Sequence, residues 1–232
     1  MNDIHIITYA THSEGKFDEL INNNFNVSIE VIGWGKKWNG FMDKFKNMYE
    51  YIQTLPDNDI IIFIDGFDTE INQPLDVIKQ RFLEFNSDIV LSEHPKLLNN
   101  YVTKKFFGTC QGDLIANSGL YGGYNIKLQE LLKHILKYND TSDDQQGLNS
   151  ACKYFDNIII DTEKKLFHNL NYSERYLCGN FDSCFLSTPG DLSFNRLIRF
   201  PKEYFPFFWK EIVLFIFIII LIGIFIKNHT NN

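Results

Sequence analysis

Cysteine is sparse in this chain of 232 residues and nowhere closely paired: Cys110, Cys152, Cys178 and Cys184 contain no C-x-x-C spacing. That excludes the disulfide-dense scaffold of small secreted domains. Free thiols are expected, and a short Cys178–Cys184 bridge stays open only for an oxidising compartment. A basic excess is missing too. With a formal net charge of −7 and a pI near 5.4, the chain lacks the positive face that phosphate backbones require, so no nucleic-acid partner is expected. An anionic substrate would need a metal or a locally placed cation. No internal repeat or low-complexity stretch is present, and Met1 to Ala10 has neither the basic n-region nor the apolar h-region of a signal peptide. That opening segment reads as a β-strand.

What the chain does have is an apolar run, Ile60 to Ile64, that stops at Asp65-Gly66-Phe67-Asp68. Such a run reads as a strand covered on both faces, and open α/β sheets bind ligands at the carboxyl ends of such strands. Two acids at that point can share a divalent cation, Mg²⁺ or Mn²⁺, which in turn neutralises a diphosphate. An acidic turn after a strand is the plainer account of the same four residues.

Around this junction, apolar runs alternate with helical spacing. Strands are expected at Ile4 to Tyr9, Val27 to Ile32, Ile89 to Ser92, Ile158 to Asp161 and Leu166 to Asn169. Helices are expected at Phe17 to Ile21, Asp43 to Leu55, Leu75 to Phe85, Ile126 to Lys137 and from Asp143 to Tyr154. The alternation predicts an α/β fold, a mostly parallel sheet with helices on its faces. Gly33 to Gly40 forms a Gly- and Trp-rich loop. Ala116 to Tyr124 carries too many glycines for a plain strand, and those glycines permit close approach of a ligand. Asp143 and Asp144 at a helix start complement the helix dipole whatever else they do.

Every residue from Ile212 to Ile226 is apolar. At about 1.5 Å per residue that run covers roughly 22 Å, and snorkelling by Lys210 and Lys227 would bring it to the ~30 Å hydrocarbon core. Phe207, Phe208 and Trp209 sit where an interfacial aromatic belt belongs. Arg196, Arg199, Lys202 and Lys210 precede the run and only Lys227 follows. The expectation is therefore a globular domain at 1–195, a linker at 196–209, a single-pass transmembrane anchor at 210–227 and a tail at 228–232, with the large part in the cytosol.

In order along the chain stand Thr8-Tyr9-Ala10-Thr11, Gly35-Lys36-Lys37-Trp38-Asn39-Gly40 with Lys44 beyond, Asp65 to Asp68, Asn117-Ser118-Gly119-Leu120-Tyr121-Gly122-Gly123 and Asp143-Asp144-Gln145. Over about Ile4 to Gly190 this order resembles the glycosyltransferase domain of the procollagen lysyl hydroxylases and related collagen glycosyltransferase-like proteins, several of which occur in large DNA viruses. The resemblance implies a GT-A-type nucleotide-sugar-binding fold and transfer of a hexose, glucose or galactose, from a UDP-sugar to a hydroxyl of a protein or glycan acceptor, such as hydroxylysine of a collagen-like protein. It further implies that Asp65 and Asp68 hold Mn²⁺ or Mg²⁺, that Phe67 faces the uracil and that Thr8 and Tyr9, with Ser118 and Gly119, line the donor. Lys44 would reach the phosphates, and Asn117, Asp143 and Asp144 would lie on the sugar side. One departure stands out. The family completes its metal site with a histidine in a late turn, whereas the matching stretch here is Ser187-Thr188-Pro189-Gly190, with Asp191 next to it. His168 falls where relatives carry another polar residue and reads as structural. The chain has no room for a dioxygenase domain, so no hydroxylase activity is inferred.

Two rival readings remain. A phosphatase of the haloacid-dehalogenase type needs D-x-D-x-T, and here the second acid falls one position late, in Asp65-Gly66-Phe67-Asp68-Thr69. The other is a transferase-like domain without turnover, acting as a membrane-tethered binding module.

Overall fold

The computed structural model describes residues 2–95, 100–138, 141–171, 174, 181–189 and 209–222. Contacts divide the chain into one compact unit, Met1–Pro189, and a second, Gly190–Asn232.

The first unit is built on a six-stranded sheet: β1 (Ile4–Tyr9), β2 (Ile29–Ile32), β3 (Ile60–Asp65), β5 (Ile89–Glu93), β6 (Ala116–Tyr124) and β7 (Ile158–Asp161), in the order β2-β1-β3-β6-β5-β7. All run parallel except β6, which lies antiparallel between β3 and β5. A smaller sheet joins β4 (Thr69–Ile71), β9 (Phe185–Ser187) and β8 (Phe167–Asn169) in that order. The helices are α1 (Phe17–Ile21), α2 (Met42–Ile52), α3 (Leu75–Glu84), α4 (Asn100–Phe107), α5 (Asn125–Tyr138) and α6 (Asp144–Cys152). This mixed α/β arrangement is consistent with a GT-A fold.

The unbroken apolar run of β3 has a direct cause in the layering. Ile61 and Phe63 face a core completed by Phe45 and Met48 of α2, Leu128 and Leu132 of α5 and Leu148 of α6. Ile60, Ile62 and Ile64 face a second core with Leu20 of α1, Ile78 and Phe82 of α3, and Phe167 and Phe185 of the small sheet. A strand with core on both sides can spare no polar position until it emerges, and full burial of each such side chain stabilises by about 1.5–3 kcal/mol.

Against expectation, the glycine-rich segment is the longest strand of the sheet. β6 accepts its glycines because its neighbours press close: a Cβ at Gly122 would collide with Ile62, and one at Gly123 would lie 2.8 Å from the carbonyl oxygen of Asp88. The cysteines also depart from expectation. Cys110, just after α4, is bridged to Cys152 at the end of α6, with Cα atoms 5.5 Å apart. Cys184 is free and buried, and Cys178 lies outside the described residues.

The expected membrane span is overturned. In the second unit residues 209–222 form a helix, and this described stretch covers roughly 21 Å at ~1.5 Å per residue. Among the described residues no helix is long and apolar enough to cross a membrane. The apolar run is real, but hydropathy alone does not set helix length. The C-terminal transmembrane helix, the membrane as a partner and the single-pass localisation fall together, and the cytosolic placement that rested on the flanking charges falls with them. The rest of the expected anchor, the expected linker at 196–209 except Trp209, and the tail lie outside the described residues.

Candidate active site

The carboxyl ends of the parallel strands gather the residues singled out in the sequence. Tyr9 at the end of β1 stands in register with Asp65 at the end of β3. β6 starts at the same edge of the sheet, so Asn117 lies opposite Ser92 near the end of β5. Gly119 belongs beside Asp65, because a Cβ added there would lie 3.6 Å from the Asp65 Cβ and 3.0 Å from Asn117 Oδ1. A side chain at that position would press on both polar neighbours.

Lys44, in the first turn of α2, is the electrostatic centre. Its Nζ pairs with Asp144 and lies 3.9 Å from Asp65 Oδ2. Burial alone would lower the Lys44 pKa, but the charges of Asp144, Asp65 and Asp68 outweigh it and hold the ammonium above its ordinary value. Asp144 Oδ2 also accepts from Ser118 Oγ at 2.8 Å. Asp143 caps α6 by accepting from the Gln146 amide at 2.8 Å, and burial pushes its carboxyl up to about 6. The helix-start reading of this acidic pair therefore holds for Asp143, while Asp144 turns to the lysine.

Asp68 follows β3 by one turn and is held from the small sheet: Ser187 Oγ donates to its Oδ1 at 2.9 Å. Burial and the neighbouring charge of Asp65 push Asp68 up to about 7 against the pull of Ser187, Lys44 and Thr69. Two acids that resist sharing negative charge suit a cation, although among the described residues no group of three or more His, Cys, Asp or Glu side chains could hold a metal ion. The set fits the kind of ion that takes one or two carboxylates and completes its coordination with waters and substrate phosphates, as Mg²⁺ does.

Aromatic rings border this edge. Trp38 of the glycine-rich loop sits 5.8 Å from the Tyr9 ring, and His12 lies 5.6 Å from Phe67. Trp34, Trp38 and Phe41 are exposed. Thr8, by contrast, is wholly buried and its Oγ1 has no partner among the described residues. It faces Gly66, where an added Cβ would lie 2.8 Å from that oxygen.

Other residues at this edge were not foreseen. Asn149 of α6 exchanges hydrogen bonds with the backbone of Ala116, accepting at 2.8 Å and donating at 2.9 Å, and so fixes the start of β6. A polar residue on the apolar face of α6 was its signal. Gln145 accepts from Asn117 Nδ2 at 3.3 Å and donates to His94 Nδ1 at 3.1 Å; nothing in the sequence marked His94. A wide groove of about 1,080 Å³ bordered by Asp18, Glu19, Glu70 and Asp182 lies elsewhere, with none of the expected site residues in its lining.

Comparison with known proteins agrees with the order of motifs. A family profile described as the PLOD GT domain matches residues 1–182. The multifunctional procollagen lysine hydroxylase and glycosyltransferase of Caenorhabditis elegans is 28% identical over 193 residues, covering 72% of this chain and 25% of that protein. An uncharacterized protein of Acanthamoeba polyphaga mimivirus is 26% identical over 160 residues, covering 61% of this chain and 33% of that protein. The chain thus spans a quarter to a third of the length of these relatives. With the profile covering most of its length, the chain belongs to the PLOD glycosyltransferase domain family.

Proposed function

We propose that this protein is a metal-dependent hexosyltransferase that moves glucose or galactose from a UDP-sugar to a hydroxyl acceptor, with hydroxylysine of a collagen-like protein as the first acceptor to try. The observation that carries this reading is the convergence of Asp65, Asp68, Lys44 and Asp144 at the carboxyl end of β3, where α/β sheets of this kind bind nucleotides.

In this reading Asp65 and Asp68 hold Mn²⁺ or Mg²⁺. The ion, when bound, neutralises the diphosphate and stabilises the charge that develops on departing UDP. Lys44 supplies a fixed cation to the same oxygens, exchanging part of its pairing with Asp144 for the phosphate. Freed of the lysine, Asp144 orients a sugar hydroxyl or takes the acceptor's proton, with Asp143 and Asn117 beside it. A poised carboxylate of this sort contributes about 10²- to 10⁴-fold. Ser118 and Gly119 bring the backbone of β6 close to the donor, Phe67 and Tyr9 offer rings to the base, and Thr8 backs the turn at Gly66.

The deciding experiment is UDP release from a panel of UDP-sugars with and without Mn²⁺. Turnover of one donor that disappears on chelation and in Asp68→Ala is the expected result. Absence of turnover with every donor, together with unchanged UDP binding in Asp68→Ala, overturns the enzyme. UDP binding without turnover would favour the second reading, a transferase-like binding module. The observation on its side is that, among the described residues, no group of three or more His, Cys, Asp or Glu side chains could hold a metal ion.

A further inference from the structure

Tyr121 of β6 belongs to the core between the sheet and helices α2, α5 and α6, and is 1% exposed. It stands in register with Phe63 of β3. Its ring stacks on Phe63 at 4.9 Å and meets Phe45 of α2 edge-on at 6.0 Å. Two phenylalanines thus fix the ring and with it the place of the hydroxyl. That hydroxyl is buried and has no hydrogen-bond partner among the described residues. A phenylalanine would fill the same space without an unmet buried donor, so the oxygen lowers the stability of the unloaded protein.

Asp144 is the acid whose charge reaches this hydroxyl. Burial first and then that charge raise the Tyr121 pKa well above its ordinary value, so the oxygen keeps its proton and is a donor toward a carboxylate. Asp144 is itself buried and held by three donors. Its Oδ2 pairs with Lys44 and accepts from Ser118 Oγ at 2.8 Å, and its Oδ1 accepts from the Gln145 amide at 3.0 Å. When Lys44 turns toward a diphosphate, Oδ2 loses its cation and a buried carboxylate is left short of a donor. The amides nearby are engaged: Asn117 Nδ2 donates to Gln145 Oε1 at 3.3 Å, and Asn149 Nδ2 to the carbonyls of Ala116 and Gln145 at 2.9 and 2.8 Å. Thr8, Tyr9 and Ser183 also carry unpartnered hydroxyls. Thr8 faces Gly66, the charge that reaches Tyr9 is that of Asp43, and Ser183 precedes β9 in the small sheet. Tyr121 is the donor that remains for Asp144.

We infer that Tyr121 is a positioning residue: its hydroxyl donates to Asp144 once Lys44 turns to the donor's diphosphate, and so holds that carboxylate in place while the site is loaded. The inference rests on the transferase reading for the movement of Lys44. No proton is transferred; one hydrogen bond replaces an ion pair. The test is Tyr121→Phe, which keeps the ring and removes the oxygen, made both in the unaltered protein and in Lys44→Met. Urea unfolding without nucleotide comes first. Tyr121→Phe alone should be at least as stable as the unaltered protein, because its hydroxyl has no bond to lose. In Lys44→Met, where Asp144 has lost its lysine for good, the same change should lower the midpoint. A tyrosine that only fills space would not reverse sign between the two backgrounds. A lowered midpoint in the first background, or an unchanged or raised one in the second, overturns the role. Calorimetric titration of UDP with Mg²⁺ needs only the single variant and so stands even where Lys44→Met does not fold. Tyr121→Phe should bind UDP at least about tenfold more weakly, the scale of one charged hydrogen bond, and unchanged affinity overturns the role. UDP release from UDP-sugars is followed in parallel. Weakened UDP binding with no turnover by either protein overturns the transferase and keeps the role of Tyr121, whereas turnover with unchanged affinity does the reverse.

Discussion

Ser187 donates a hydrogen bond to Asp68 across 119 residues of chain, 2.9 Å from Oγ to Oδ1. The contact joins the small sheet to the turn after β3, and the Thr188 amide adds a bond of 2.9 Å to the Asp68 carbonyl. Ser187 thus stands at the acid that the family resemblance pairs with a late histidine. Its hydroxyl holds Asp68 in place. Replacing it with alanine takes a donor from a half-buried carboxylate, a change of about 1 kcal/mol. Urea unfolding of Ser187→Ala should register that loss and Ser187→Thr should recover most of it. Equal midpoints for all three proteins would mean the contact has no energetic weight.

The Lys44–Asp144 pair makes a second prediction. Both residues are buried, so removing one partner strands a charge in a poorly solvated place, at a cost of about 3–5 kcal/mol, whereas removing both is far milder. Lys44→Met and Asp144→Leu should each destabilise strongly, and the loss in the double variant should be well below the sum of the two single losses. Chemical denaturation in a double-mutant cycle measures this coupling. Strict additivity would show that the two side chains are solvated independently.

How much of this was legible in the sequence follows from the range of each signal. β3 and its terminal acids were readable because a strand between two cores leaves an unbroken apolar run, and α2 was readable because Phe45, Met48 and Ile52 recur on one buried face. β6 was misread since its glycines answer to Ile62 and Asp88, residues distant in sequence. The Cys110–Cys152 bridge follows from packing of the α4–β6 segment on α6, which no local spacing encodes. β4 and α4 went unassigned, the former being only a three-residue strand whose partner β9 comes more than a hundred residues later. The order of motifs brought Ser187 to attention but not its bond to Asp68. The apolar tail carried a hydropathy signal while the length of its helix did not follow from composition.

His5 gives a pH dependence far from the site. Its Nδ1 lies 2.7 Å from Glu30 and its Nε2 3.2 Å from Asp59, and Tyr51 donates to the same Glu30. Burial lowers the His5 pKa, but the hydrogen bonds and charges of the two carboxylates outweigh it and raise it above 6.5. A group whose pKa rises on folding stabilises fully below its unfolded value and loses that contribution as pH climbs through the folded one. The melting temperature should therefore fall as pH rises from below 6.5 through the higher folded value, and His5→Gln should flatten that decline. A profile that keeps its slope in the variant would assign the dependence to other groups.

The disulfide carries the last prediction. Cys110 and Cys152 close a loop of sequence separation 42, and chain-entropy reasoning puts the stabilisation from a loop of that size at about 2–4 kcal/mol. The bridge holds the far end of α6, whose near end carries Asp143, Asp144 and Gln145. The start of β6 has a separate hold on α6 through Asn149 and Ala116. Loss of the bridge should accordingly lower global stability more than it disturbs the candidate site. Urea unfolding of the oxidised protein, the reduced protein and Cys110→Ala/Cys152→Ala should show the last two falling together. UDP affinity should stay within about twofold, because the Asn149 bonds do not depend on the bridge. Peptide mapping without reductant should recover the segments around Cys110 and Cys152 as one linked species, and their recovery as separate thiol peptides would remove the basis of this prediction.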